Sequence, residues 1–189
     1  IVGTDRVVPF RSVAEKAAGE SNVAFDEKET FAPEEATYPN GTHVCELEID
    51  MATGEVELVD YTVVDDFGRV INPLLLEGQV HGGIAQGLGQ AILESCQYES
   101  GSGQLLSASF MDYTMPRADD FPAIRFKRNE VPCETNPLGI KGAGEAGAIG
   151  APPAIVNAIV NALSDHGIRH VDMPVSPNKV WDILQNVSA

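Results

Sequence analysis

Five glycines fall between Gly78 and Gly89, inside a stretch whose apolar residues otherwise keep the spacing of an α-helix. Asn72-Pro73 is a stop-and-start signal, and the pattern predicts one long helix from near Pro73 to Glu94. Val80, Ile84, Leu88 and Ile92, at intervals of four, supply its buried face. Gln79, Gly83, Gln86 and Gln90 form a second stripe, spaced four, three and four. Each glycine costs a helix interior about 1 kcal/mol relative to alanine. A helix carrying five of them needs something close against it, either another backbone or a ligand. Spacing leaves both open.

A second run of small residues places a single carboxylate among glycines: Gly139-Ile140-Lys141-Gly142-Ala143-Gly144-Glu145-Ala146-Gly147. Glycine lets backbone approach a ligand closely, so a carboxylate held there meets a bound substrate with little in between, which suits a general base. The competing reading is a turn before a helix, with Glu145 a solvated acid favoured by the helix dipole. The segment Gly142–Gly147 also matches the bare dinucleotide-binding glycine pattern. No strand of a parallel unit precedes it and no acid is placed for a ribose, so the match is accidental.

Charge narrows the partners. Twelve Lys plus Arg against 28 Asp plus Glu give a net charge of −16 over 189 residues, which argues against nucleic acid or an anionic membrane. No apolar run reaches membrane-span length and no signal peptide is visible. Cys45, Cys96 and Cys133 are too few and too dispersed for a disulfide framework or a zinc knuckle, so a reducing, cytoplasmic setting is expected. His43, His81, His166 and His170 show no metal-ligand spacing, and no metal-ligating residues are assigned. The chain opens on Ile1, not Met, and reads as a piece of a longer protein.

Residues 1–41 are expected to form a strand, a turn at Gly3-Thr4-Asp5-Arg6, a helix to Ala18 and an acidic extended arm; residues 42–189 form the main domain. Two period-two strands, 43–49 and 55–64, flank Asp50-Met51-Ala52-Thr53-Gly54, which suits a hairpin loop ending in a glycine bulge. Leu105–Phe110 and Ala123–Val131 read as further strands. Pro152-Pro153 reads as a helix start, with Ile155, Val156, Ile159, Val160 and Leu163 buried, and Ser176-Pro177 as another, carrying Trp181. The fold class is α+β: a mixed sheet with the glycine-rich helix and the C-terminal helices packed on it.

Three blocks then occur in order: Gly78-Gln79-Val80-His81-Gly82-Gly83-Ile84-Ala85-Gln86-Gly87-Leu88-Gly89, Ser109-Phe110-Met111-Asp112-Tyr113-Thr114-Met115-Pro116-Arg117-Ala118, and Asn136-Pro137-Leu138-Gly139-Ile140-Lys141-Gly142-Ala143-Gly144-Glu145. Together they resemble the C-terminal part of the molybdenum-binding large subunit of the xanthine dehydrogenase, aldehyde oxidase and aerobic carbon monoxide dehydrogenase family, nearest in type to the bacterial carbon monoxide dehydrogenase large chain. The resemblance runs from Gly3-Thr4-Asp5-Arg6 to Trp181.

It implies that residues 42–189 form a molybdenum-cofactor-binding domain. Glu145 matches the family's catalytic glutamate, which takes a proton as a water-derived oxygen attacks or else orients the substrate. Gln79 matches a glutamine that hydrogen-bonds the molybdopterin, and backbone at Gly142, Ala143 and Gly144 would approach the metal's ligands. The cofactor implied is molybdenum–molybdopterin, with its cytosine dinucleotide form as one variant. The partners implied are the remainder of the large subunit, an FAD-binding medium subunit, a 2Fe–2S small subunit and a small-molecule substrate such as an aldehyde, an N-heterocycle or CO. The family's upstream cofactor loops are absent here, so the chain purified alone is expected to carry no molybdenum and show no turnover; elemental analysis checks this. A contrasting expectation is a non-catalytic acidic assembly module whose glycine loop only caps a helix.

Overall fold

The computed structural model describes residues 1–19, 28–33 and 35–187. Backbone contacts divide the chain into two compact units, Ile1–Glu34 and Glu35–Ala189. Of the acidic arm expected after Ala18, residues 20–27 and 34 lie outside the described residues.

In the first unit, α1 (Phe10–Ala18) follows Pro9 and carries an i,i+4 ion pair between Arg11 and Glu15 at 2.9 Å. The turn at Gly3 forms with φ +82° and an N–H of Thr4 donating to the Ile1 carbonyl at 3.1 Å. The expected strand around it does not form. Val2, Val7 and Val8 are exposed and no ladder pairs them among the described residues.

The second unit is built on the predicted hairpin. β1 (Asn40–Ile49) and β2 (Val56–Asp66) pair antiparallel, with Cys45 opposite Tyr61. Asp50 Oδ1 accepts the N–H of Ala52 at 2.8 Å, and Gly54 takes φ +77°, which closes the turn. β1 alternates as expected, with His43, Cys45, Leu47 and Ile49 facing inward. β2 does not. Opposite Glu46–Leu47 the register slips by one residue, so Val59 bulges outward and the buried face passes from Leu58 to Tyr61, Val63 and Asp65. β3 (Ile124–Arg128) runs parallel to β2, with Tyr61 opposite Ile124, giving a mixed sheet of order β1-β2-β3.

The strand expected at Leu105–Phe110 reduces to one isolated bridge, Tyr98 to Leu105. Leu106 and Phe110 are exposed, and the Ser109 hydroxyl, bonded to Asp112 Oδ2 at 2.7 Å, turns the chain before a ladder can start.

α2 (Pro73–Leu88) is N-capped by Asn72, whose Oδ1 accepts the N–H of Leu75 at 3.2 Å. It ends in a single wider turn, Gly89–Leu93, where the Glu94 N–H reaches the Gly89 carbonyl at 2.7 Å. Val80, Ile84 and Leu88 are fully buried, and Ile92 nearly so. α3 (Ala146–Ala162) starts six residues before the two prolines that were expected to open it. Pro152 and Pro153 sit inside the helix, where each removes a backbone hydrogen bond. The earlier turns persist because α2 holds them. A Cβ on Gly147 would lie 2.5 Å from the Val80 carbonyl oxygen, and one on Gly87 2.9 Å from Pro152 Cδ.

The glycines of α2 therefore split by role. Gly83 lets the two helix backbones touch and Gly87 admits the Ala151 and Pro152 side chains, whereas Gly78 and Gly82 face open space. Ile155 and Ile159 of α3, with Leu163 just past its end, complete the core with Tyr61, Val63 and Val180, the last on α4 (Pro177–Val187). A methyl on Gly83 would meet the Ala148 nitrogen and Gly147 Cα at 2.9 Å, both unyielding backbone. Gly83→Ala is thus expected to destabilise the chain by about 1–3 kcal/mol despite its better helix propensity, as read from urea midpoints.

Candidate functional site at the start of α3

The segment from Cys133 to Glu145 has almost no regular structure, yet its backbone is pinned at Cys133, Asn136, Gly139, Ile140 and Lys141. Gly139 takes φ +69°, and its carbonyl accepts the N–H of both Arg69 (2.8 Å) and Cys133 (3.0 Å). Asn136 clamps Ile140 from both sides: Oδ1 accepts its N–H at 3.1 Å and Nδ2 donates to its carbonyl at 2.9 Å. The Lys141 N–H reaches the Phe67 carbonyl at 2.9 Å, just past the end of β2.

The charge at this junction is compensated. Lys141 Nζ donates to Asp66 Oδ2 at 2.6 Å, with both side chains largely buried. Asp66 Oδ1 accepts the N–H of Gly68 at 2.8 Å and of Val131 at 3.0 Å. Burial pushes the Asp66 carboxyl upward, but the Lys141 ammonium and the two backbone N–H groups outweigh it and hold the group below the ordinary carboxylate range. Gly68 (φ +65°) fits because a side chain there would strike the Gly139 carbonyl, 2.2 Å from its Cβ position.

Beyond Lys141 the chain runs out from this knot to α3. Gly142 and Gly144 are exposed with open space where a Cβ would go, while Ala143 is partly buried against the core. Glu145 occupies the N-cap position of α3. Its carbonyl accepts the Ile149 N–H at 2.9 Å, but its carboxylate makes no capping bond and is exposed. An acid kept at a helix start without capping it is free for another partner. Gln79, exposed on α2, donates from Nε2 to the Gly144 carbonyl at 3.3 Å, 65 residues away in sequence. The fold thus brings Gln79, Gly142, Ala143, Gly144 and Glu145 into one constellation.

Of the second stripe, Gln86 and Gln90 remain exposed, and Gly83 is covered by α3. The Met115-Pro116-Arg117 loop lies against the wide turn at the end of α2, where Pro116 Cγ would be 2.9 Å from a Cβ on Gly89. Nearby, the Tyr113 hydroxyl donates to Glu94 Oε2 at 2.7 Å; that bond, with burial added, pushes the phenol up to about 12.

Sequence reasoning did not assign roles to Asp66, Lys141 and Asn136, which hold the loop. The signals were present as an acid pair closing an apolar strand before a glycine, and as an Asn-Pro-x-Gly turn. Among the described residues no group of three or more His, Cys, Asp or Glu side chains could hold a metal ion, and no helix is long and apolar enough to cross a membrane.

Comparison with known proteins gives the family of the chain. The family model for the molybdopterin cofactor-binding domain matches residues 1–122. The carbon monoxide dehydrogenase large chain of Hydrogenophaga pseudoflava is 35% identical over 155 residues, covering 82% of this chain and 19% of that one. The nicotine 6-hydroxylase large subunit of Paenarthrobacter nicotinovorans is 38% identical over 143 residues, covering 76% and 17%. Among solved structures, the Cu,Mo-CO dehydrogenase superposes with a TM-score of 0.80 at 32% identity, over 84% of this chain and 20% of that one. The chain belongs to the molybdopterin cofactor-binding family of molybdenum oxidoreductase large subunits. It spans about a fifth of the length of the relatives it matches.

Proposed function

We propose that this chain is the C-terminal, cofactor-facing part of the large subunit of a molybdenum hydroxylase. The complete enzyme would oxidise a small substrate (an aldehyde, an N-heterocycle or carbon monoxide) with water as the oxygen source. One observation carries the reading: the exposed Glu145 carboxylate stands uncommitted at the start of α3, beside the bond from Gln79 to Gly144.

The residues present fit a bound cofactor. Gly78 and Gly82 carry the helix cost of glycine with no atom of this chain near enough to need it, and Gly142 and Gly144 leave the same open space. Gly82 lies three residues from Gln79 and four from Gln86, on one side of α2. Gln79 and the backbone of Gly142, Ala143 and Gly144 would hold molybdenum–molybdopterin, in its cytosine dinucleotide form. When bound, that group supplies an electron acceptor and an activated water-derived oxygen.

The chain's own residues do the rest. Glu145 would accept and hold the proton on its carboxylate. Gln79 fixes the Gly144 carbonyl, so the peptide before Glu145 cannot turn away. The remainder of the large subunit would close the substrate pocket, and medium FAD-binding and small 2Fe–2S subunits would take up the electrons. Three free thiols, Cys45, Cys96 and Cys133, suit a cytoplasmic complex.

Gly82→Ala in the full-length protein tests where the cofactor sits. A methyl there meets nothing in this chain, so the helix is expected to gain up to about 1 kcal/mol. Molybdenum content measured by elemental analysis should nevertheless fall. Full occupancy at unchanged activity would sink the placement.

A further inference from the structure

We infer that His43 is a positioning residue for Glu145: a buried imidazole, held by Tyr61 and Asp65, against which the first turns of α3 are seated. This rests on the reading of Glu145 as the base. The proposed reaction makes no use of His43, Tyr61 or Asp65.

His43 faces inward from β1 with its side chain 8% exposed; it pairs with Val63 of β2 and is flanked diagonally by Asp65, 3% exposed. Tyr61, on the other side of Val63 along β2, is fully buried. His43 Nδ1 lies 2.8 Å from the Tyr61 hydroxyl, and Nε2 lies 3.5 Å from Asp65 Oδ1. The two rings meet edge to face, with centroids 5.8 Å apart. In the tautomer in which the Tyr61 hydroxyl donates to Nδ1, the ring proton is on Nε2, the nitrogen that faces the Asp65 carboxylate. Both ring nitrogens are then engaged, and rotating the ring would break the hydrogen bond and the facing of charge together.

α3 rests on this ring. A Cβ on Gly150 would lie 2.5 Å from His43 Nε2 and 2.6 Å from Cδ2 and Cε1, so the helix backbone sits directly over the imidazole. Ala146, Ile149 and Gly150 share with His43, Asp65 and Asn40 the wall of a cavity of about 130 Å³. Glu145 immediately precedes Ala146, and its carbonyl accepts the Ile149 N–H. The start of α3 is therefore held between two contacts: Gly147 on the α2 backbone, and Gly150 on His43.

Pure packing does not explain a polar set here. Asp65 Oδ2 is buried without a hydrogen-bond partner among the described residues, a state that costs stability. An apolar side chain of similar volume would fill the space without that cost. What the polar set adds is direction, because a hydrogen-bonded ring has one orientation and so seats the helix in one place.

The test uses the full-length, cofactor-loaded enzyme containing this segment, with kcat expressed per molybdenum. His43→Ala is expected to lower kcat about tenfold or more, with KM and molybdenum content within about twofold of the parent. Gly150→Ala, whose methyl must push the helix off the ring, should lower kcat in the same way. The double variant His43→Ala/Gly150→Ala should lose no more than the larger single loss, since both changes act through the same contact. The inference is overturned if both single variants keep parental kcat per molybdenum, or if their losses add in the double variant. Should His43→Ala not fold, Gly150→Ala compared with His43→Gln/Gly150→Ala makes the same discrimination. Glu145→Gln separates the two readings. Near-parental rate there defeats the base itself, whereas its rate loss alongside parental His43 and Gly150 variants defeats only the positioning role.

Discussion

Glu145→Gln in the full-length, cofactor-loaded protein is expected to lower kcat by about 10²–10⁴-fold while molybdenum content stays at the parental level. The amide keeps the size of the side chain but cannot accept and hold a proton. Stability should hardly move. The carboxylate is exposed and makes no capping bond, so the fold loses no interaction on its removal, and a surface change of this kind stays within about 0.5 kcal/mol. The loss should fall on kcat and kcat/KM together, because proton transfer belongs to the transition state and not to substrate binding. A rate within a few-fold of the parent, with cofactor bound, would end the case for Glu145 as base. It would also revive the view of the glycine loop as a helix lead-in and nothing more.

Where local chemistry decides, the sequence was readable. The β1–β2 hairpin follows from period-two alternation and an Asp-to-Gly turn, and α2 from apolar residues four apart behind Asn72-Pro73. The errors lie where distant contacts override local signals. Pro152-Pro153 looks like a helix start, yet α3 begins at Ala146 because Gly147 finds the backbone of α2. Leu105–Phe110 looks like a strand but has no ladder to join. The bulge at Val59, which turns Tyr61 and Asp65 inward, is set by the partner strand and leaves no mark in the period.

The site divides in the same way. The glycine settings singled out Glu145 and the stripe that holds Gln79, the family resemblance gave the two residues roles, and the fold brings Gln79 to the residue before Glu145. The groups that fix the loop could not. Lys141 and Asp66 are 75 residues apart, and each reads as an ordinary surface charge until the end of β2 meets the loop.

That ion pair carries the second large expectation. Asp66→Ala should cost the chain about 3 kcal/mol or more in urea unfolding, since it strands the Lys141 ammonium and the N–H groups of Gly68 and Val131 without their acceptor. Lys141→Met with Asp66→Ala should cost less than the two single changes added together, because removing both charges leaves no unpaired ion. Acid supplies an independent check. The Asp66 carboxyl is held below its ordinary value of 3.8 in the folded chain, so its contribution is complete above that value and drains away as pH falls through the folded value. Stability of the parent should therefore drop below about pH 4 with a component that Asp66→Ala lacks. If parent and variant lose stability in parallel from about pH 5 to about pH 2, the pair does not hold the loop, and the pinning of the chain before Gly142 rests on Asn136 and the backbone bonds of Gly139 and Lys141.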